Sequence, residues 1–364
     1  SGDITFHYPL AHAALNRLIY DANNSSSNPG TLVRSEGQGP VGSPADVNYA
    51  YDYFGDTYDF YSVQHGRDSL NGAGMTLSGT MRYCDPSDDC PMANAFWSDS
   101  TERMYFGEGY ASADDVVGHE LTHGVTSYES ALIYFNQSGA INEAFSDMWG
   151  EWIDQTNGAG TDTPAAKWLV GEDLPIGAIR DMSNPPAYGD PDRMGSPLYN
   201  ANIGDVGGVH YNNGVGNKLC YLLTDGGTFN GHTVTGFGIS STADLLYECA
   251  VHLLTSAADY LDLYMVLLQA ADNLGYSQAA KNNVVEACLA VELGVEPDKL
   301  AVGSYAGYWV YPMYTSYHDS RTQSIYLASE IGRSGRITAL SLYVTTLPGQ
   351  TLNYWTIRMK TTSL

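Results

Sequence analysis

Between residues 47 and 61 the apolar positions Val47, Tyr51, Phe54, Tyr58 and Tyr61 recur at alternating spacings of four and three, the repeat of one core-facing stripe on an α-helix. Ser43, Pro44 and Asp46 just ahead of them form a helix start, and the aromatics of the stripe are read as packing residues rather than ligand contacts. The stretch NAFWSDSTERMYFGEG from Asn94 predicts two short strands joined by a polar turn, and DANNSSSNPG from Asp21 predicts an exposed loop between strands. Ser112 with Asp115 three residues on is a capping-box-like start for a further helix, and Asp114 and Asp115 suit its positive end. Gly118 and Gly124 inside that helix cost on the order of 1 kcal/mol each relative to alanine, which predicts that another backbone packs close to it.

A second helix is predicted from about 139 to 154. Beyond a long Pro/Gly/Asp-rich connection come helices near 213–224, 241–255, 258–274 and 277–292, the last two stopping at Gly275 and Gly294. From about residue 297 the texture changes to strand-like alternation in SIYLASEI, RITALSLYVTT and NYWTIRMKTTSL. This tail is expected to be an all-β module that stops inside a strand-like run, and so to be incomplete.

Composition narrows the candidate partners. The 364 residues include 41 acidic and 16 basic side chains, a formal net charge of -25 that repels phosphate backbones and anionic lipid. Nucleic acid and membrane surfaces are therefore excluded as expected partners, while part of the acidity can serve hard cations such as calcium. No apolar run is long enough to span a bilayer, and SGDITFHYPL has neither a basic start nor an apolar signal core, so a targeting segment is expected to have been removed or never to have existed. Of five cysteines, Cys84 and Cys90 flank a DPSDD turn and suit a small disulfide-closed loop in an oxidising compartment. Cys249 and Cys288 are candidates for a second bridge, with Cys220 as a buried small hydrophobe.

The chemistry concentrates in HELTHGVTSY. On a helix His119 and His123 stack on one face at i and i+4, so their ring nitrogens can converge on one ion. Glu120 sits about 100 degrees round, where its carboxylate can reach a water on the ion without ligating it. A catalytic zinc usually has three protein ligands and one open position, so a third ligand is needed. SGAINEAFSDMWGEW offers Glu143 on the next helix, with Asp147 four residues further on the same face to accept the spare N–H of a ligating histidine.

These residues resemble the thermolysin family of secreted neutral zinc metalloendopeptidases, part of the gluzincin group. HELTH, nineteen residues and then Glu143 within GAINEAFSD match the family's zinc signature, and NAFW at Asn94, AIRDMSNPP around Arg180 and GGVHYNNGVGNK around His210 follow in order. The resemblance runs from roughly residue 15 to 296. It implies that His119, His123 and Glu143 bind zinc, that Glu120 is the general base acting on the zinc-bound water, and that Asp147 and Asn142 support the ligands from behind. His210 and Tyr134 then resemble donors to the tetrahedral oxyanion, with Asp205 orienting His210. Asn94 and the Ala95 backbone would hold the substrate main chain, and Arg180 a substrate carbonyl.

The chain also departs from the pattern. Its connection between Gly109 and Asp115 is much shorter than in thermolysin, although Val116 and Ile179 remain as apolar lining for the residue after the cut. Asp115, Asp154 and Glu172 resemble the family's interdomain calcium ligands, with Glu151 a further candidate. Lys167 stands where an acid is expected, which points to one calcium rather than a close pair, unless Asp162 compensates. The calcium sites of the first loop and of the long connection look lost in TLVRSEGQG and EDLPIGAIR.

The expectation is an α+β, thermolysin-like two-lobed metalloprotease: a β-rich N-terminal lobe over 1–111, an HExxH helix and helical C-terminal lobe over 112–296, and the all-β module over 297–364. It would be a secreted, monomeric, zinc-dependent endopeptidase with a structural calcium, acting on protein or peptide substrates. The rival readings are an inert protease-like binding or adhesion protein and a gluzincin aminopeptidase. The aminopeptidase would need a GxMEN-type anchor for a free amino group, which the chain lacks.

Overall fold

The computed structural model describes residues 15–161, 163–200 and 204–293. The all-β module expected from residue 297 and Asp162 lie outside them. The N-terminal part runs β1 (Arg17–Ser25), β2 (Thr31–Ser35), α1 (Ala45–His65), β3 (Leu77–Tyr83), β4 (Ala95–Ser98) and β5 (Arg103–Phe106). These five strands form one sheet in the order β2-β1-β3-β5-β4, with β1, β3 and β5 parallel and the outer strands antiparallel to their neighbours. The predicted α1 stripe is buried throughout, and Phe54 meets Phe106 with ring centroids 6.5 Å apart. The polar run from Asp21 is only partly a loop: its first half is strand, because Ser25 pairs with Tyr83 of β3 and Arg82 holds Asp21 and Asn23.

Two long helices follow, α2 (Asp114–Tyr128) and α3 (Asn136–Asn157), buried over most of their length. The helix start expected at Ser112 is corrected: Ala113 is the N-cap, and the Ser112 hydroxyl donates instead to the carbonyls of Gly109 and Asp173 in a short 3-10 turn. Of the two glycines in α2, Gly118 does face another backbone, since a Cβ there would lie 3.1 Å from Gly150 Cα. Gly124 instead makes room for the side chains of Leu70 and Trp97.

Two small ribbons, β6 (Leu169–Val170) with β7 (Arg180–Asp181) and β8 (Gly226–Phe229) with β9 (His232–Thr235), flank α4 (Asp205–Asp225). The chain closes with α5 (Ile239–Tyr247), α6 (Tyr260–Asn273) and α7 (Gln278–Ala290). The helix predicted over 241–255 changes register at Glu248–Leu253, a π-turn in which Leu254 N bonds to Cys249 O. Cys84 and Cys90 form a disulfide, whereas Cys220, Cys249 and Cys288 are buried free thiols, so the second bridge is not made. Among the described residues no helix is long and apolar enough to cross a membrane.

Candidate active site

α2 forms the floor of a cleft of about 820 Å3, into which it presents Val116, His119, Glu120, His123 and Ser127. The i,i+4 spacing brings the two imidazoles together, with His119 Nε2 and His123 Nε2 3.0 Å apart. α3 supplies the third side chain, because Gly118 and Gly150 let the backbones of the two helices approach closely. Glu143 Oε2 lies 3.5 Å from His119 Nε2, and its Oε1 lies 3.4 Å from His123 Nε2. Donor atoms bonded at about 2.0 Å to one tetrahedral ion stand about 3.3 Å apart, so these three residues fit a zinc ion. Glu143 Oε2 is buried with no hydrogen-bond partner, as a carboxylate oxygen reserved for a cation would be.

The support behind the triad is polar. His119 Nδ1 meets Asp147 Oδ1 at 2.9 Å, and His123 Nδ1 meets Asn142 Oδ1 at 2.9 Å, fixing the ring orientations that leave both Nε2 atoms facing the triad. Asp147 Oδ1 also accepts from Arg180 at 2.7 Å, and Oδ2 accepts from Asn213 and Asn217 at 2.8 Å each. Those asparagines lie at i and i+4 on α4, and sequence reading saw them only as part of a matching motif. Burial alone would raise the pKa of Glu143, but His123, His119, His210 and Arg180 hold it at about 2. Asp147 is held below the usual carboxylate range in spite of its burial, chiefly by Arg180. At His119, burial works against protonation, but Asp147 and Glu143 outweigh it and raise the pKa. The field at the triad therefore favours positive charge.

Glu120 is buried and lines the same cleft beside the triad. In the same cleft His210 and Tyr134 meet each other, Tyr134 Oη to His210 Nε2 at 2.9 Å, and the Tyr134 hydroxyl donates to Glu143 Oε1. Asp205 clamps His210 twice, Oδ2 accepting its backbone N–H at 2.9 Å and Oδ1 facing Nδ1 at 2.5 Å. This clamp needs an unusual backbone: Asp205, Val206, Gly207 and Gly208 have φ of 56°, 51°, 91° and 81°. Left-handed φ is costly for a β-branched residue such as Val206, and strain of this kind gathers at functional sites.

Asn94 and Ala95 line the cleft at the start of β4, which is an edge strand of the sheet. Val116 and Ile179 are joined by Val170 and Leu174 in an apolar wall that sequence reading had only in part. Arg180 lines the cleft as well as pairing with Asp147, and its Nε is buried without a hydrogen-bond partner.

Away from the cleft, the same face of α3 continues from Glu143 and Asp147 to Glu151 and Asp154. Burial pushes Glu151 up to about 8 and Asp154 up to about 11, and it raises Asp115 well above the ordinary value, with Glu172 adding to all three. Asp114, read from sequence only as a favourable helix-start residue, is raised by burial too, and its Oδ2 accepts from Asn157 at 2.8 Å. Asp114 Oδ1, Glu151 Oε2 and Asp154 Oδ1 are buried without hydrogen-bond partners. Such a group is compatible with a hard cation. Lys167 does not enter it and pairs with Asp225 at 2.7 Å.

Residues 7–127 match the family model for the thermolysin metallopeptidase catalytic domain, and residues 130–293 match that for its alpha-helical domain. A zinc metalloproteinase of Renibacterium salmoninarum is 40% identical over 305 residues, 74% of this chain and 54% of that protein. A thermolysin of Alicyclobacillus acidocaldarius is 36% identical over 288 residues, 75% of this chain and 50% of that protein. The chain thus spans about half the length of these curated relatives. Among solved structures, the precursor of protealysin, a metalloproteinase from Serratia proteamaculans, superposes with a TM-score of 0.64 at 30% identity, covering 79% of this chain and 91% of that one.

Proposed function

Because the chain belongs to the thermolysin metallopeptidase family, we propose that it is a zinc-dependent endopeptidase that hydrolyses peptide bonds by attack of a water, without a covalent intermediate. The observation that carries the reading is the triad His119, His123 and Glu143, whose ligand atoms all lie within 4.8 Å of one another, set in a cleft beside the carboxylate of Glu120. Zinc held there would lower the pKa of a water toward neutrality and polarise the scissile carbonyl.

In this reading Glu120 takes the proton of the attacking water and passes it to the leaving amine. His210, oriented by Asp205, and Tyr134 donate to the oxygen that gains negative charge. The substrate lies along the edge of β4, held by Asn94 and the backbone of Ala95, with Arg180 donating to a carbonyl. Its residue after the cut enters the apolar wall of Val116 and Ile179, which favours a bulky hydrophobic side chain there.

Asp115, Glu151, Asp154 and Glu172 form the calcium site of this reading, since raised carboxylates that share one buried region are relieved by a cation. Secretion is supported by the Cys84–Cys90 disulfide, and the working form is taken as a monomer acting on protein or peptide substrates. The deciding experiment pairs metal content with cleavage of blocked peptides carrying leucine or phenylalanine after the cut. Glu120→Gln should keep zinc and lose hydrolysis by at least about a hundredfold. Chelator-sensitive cleavage that survived this substitution would refute the mechanism, and a requirement for a free amino terminus would favour an aminopeptidase.

A further inference from the structure

His119 and His123 occupy the middle of α2, and the cleft continues along the helix in both directions. Toward the N-terminal end the wall is apolar, at Val116, Leu174 and Ile179. Toward the C-terminal end it is acidic. There the tip of the β4–β5 hairpin meets the last turn of α2 and presents Asp99 and Glu102, both exposed and both lining the cleft. Asp99 Oδ1 accepts from Trp97 Nε1 and from Ser127 Oγ, each at 2.6 Å, and Glu102 Oε1 accepts from the Tyr128 hydroxyl at 2.6 Å. These bonds fix the positions of both carboxylates and use one oxygen of each, so Asp99 Oδ2 and Glu102 Oε2 are left to accept from a ligand.

The electrostatics point the same way. α2 ends at this place with no basic residue in its last turn, and the unpaired carbonyls of a helix end already carry partial negative charge. Among the described residues neither carboxylate has a Lys or Arg partner. Arg103 on the same hairpin is directed to Ser78 and Asn28, and Arg67 is paired with Glu129. The rings of Trp97 and Tyr128 line the wall beside the acids, a surface suited to the aliphatic stem and the charge of a long cationic side chain. From the midpoint of His119 and His123 to this place is about six residues of helix, roughly 10 Å, which an extended peptide covers in about three residues.

We propose that Asp99 and Glu102, held at the hairpin tip by Trp97, Ser127 and Tyr128, form a subsite that selects lysine or arginine two or three residues before the scissile bond. The inference rests on the peptidase reading above and on the substrate direction it sets. It predicts specificity at the end of the cleft opposite the apolar wall.

The test uses blocked peptides that share leucine after the cut and differ only in the second or third residue before it: lysine, arginine, norleucine or glutamate. Norleucine keeps the aliphatic stem and removes the charge. At low ionic strength kcat/KM should be about tenfold higher for the basic peptides than for norleucine, and glutamate should be disfavoured. Molar salt should bring the basic preference toward unity. Asp99→Asn and Glu102→Gln should each lower the lysine-to-norleucine ratio, and the double variant should bring it close to one. A native ratio near one, or a ratio that survives the double variant, would overturn the subsite. Should the variants fail to fold, the salt series on the native enzyme decides, because a basic preference that salt does not weaken is not made by these carboxylates. Cleavage of norleucine peptides without basic preference sinks the subsite alone, whereas no cleavage of any peptide sinks the peptidase reading and the subsite with it.

Discussion

Gly118 of α2 and Gly150 of α3 bring the two backbones close together, and a Cβ added to Gly150 would stand 2.4 Å from the carbonyl oxygen of Asp115. This contact sets the helix separation at which Glu143 meets His119 and His123. Gly150→Ala should therefore destabilise the protein by about 1–3 kcal/mol through overpacking, although alanine is by itself about 1 kcal/mol the better helix former. Urea unfolding at fixed zinc reads the change. An unchanged or raised midpoint would show that the two helices can separate freely.

The triad was legible in the sequence because each step is local: an i,i+4 pair on one helix, and a carboxylate with its partner at i and i+4 on the next. The α1 stripe was legible for the same reason. What stayed hidden depends on contacts distant in sequence. Asn213 and Asn217 become important only when α4 packs against Asp147, and Asp99 and Glu102 only when the hairpin tip reaches the end of α2. The strand character of residues 21–25 was masked by polar composition, since Arg82 and the β3 ladder hold side chains that elsewhere favour turns. The predicted cap at Ser112 failed because two carbonyls outside the helix compete for its hydroxyl.

Asp147 meets both His119 and Arg180, and replacing it separates these two contacts from simple packing. Asp147→Asn keeps the volume but removes the charge shared by His119 and Arg180. Zinc affinity should fall by about 10–100-fold, as it does when the partner of a ligating histidine is lost. Stability should fall by about 3–5 kcal/mol, because the Arg180 guanidinium is left buried without its counter-charge. Competition against a zinc chelator and denaturant unfolding measure the two losses. If both are unchanged, Asp147 is not the group that orients His119.

The buried acids near Asp115 make stability depend on pH and calcium together. Glu151 is pushed up to about 8 by burial, and Asp154 and Asp115 are raised as well. Their folded values lie above their unfolded ones, so the folded state holds more protons than the unfolded chain from about pH 4 upward, and stability falls as pH rises toward about 8. Calcium would replace those protons. Thermal unfolding of the zinc-loaded protein should show a Tm that declines from pH 5 to 8 without calcium and gains about 5–10 °C from millimolar calcium at the upper end of that range. Identical curves with and without calcium would remove these carboxylates from any cation site.

Tyr134 offers a way to separate binding from catalysis. Its hydroxyl reaches both Glu143 and His210 Nε2, so it stands at the triad and beside the imidazole that Asp205 orients. Desolvation, and then the nearby charge of Glu143, raise its pKa, which favours the protonated, donating phenol. A donor whose bond strengthens only as the substrate oxygen becomes an anion contributes to kcat and leaves KM nearly alone. Tyr134→Phe should lower kcat by about a hundredfold with KM changed by no more than a few-fold. His210→Ala should act alike, and the double variant should lose less than the product of the two, since both would serve the same oxygen. Steady-state kinetics on a single blocked peptide settles the point: a raised KM at unchanged kcat would make Tyr134 a ground-state contact and leave His210 as the donor to the anion.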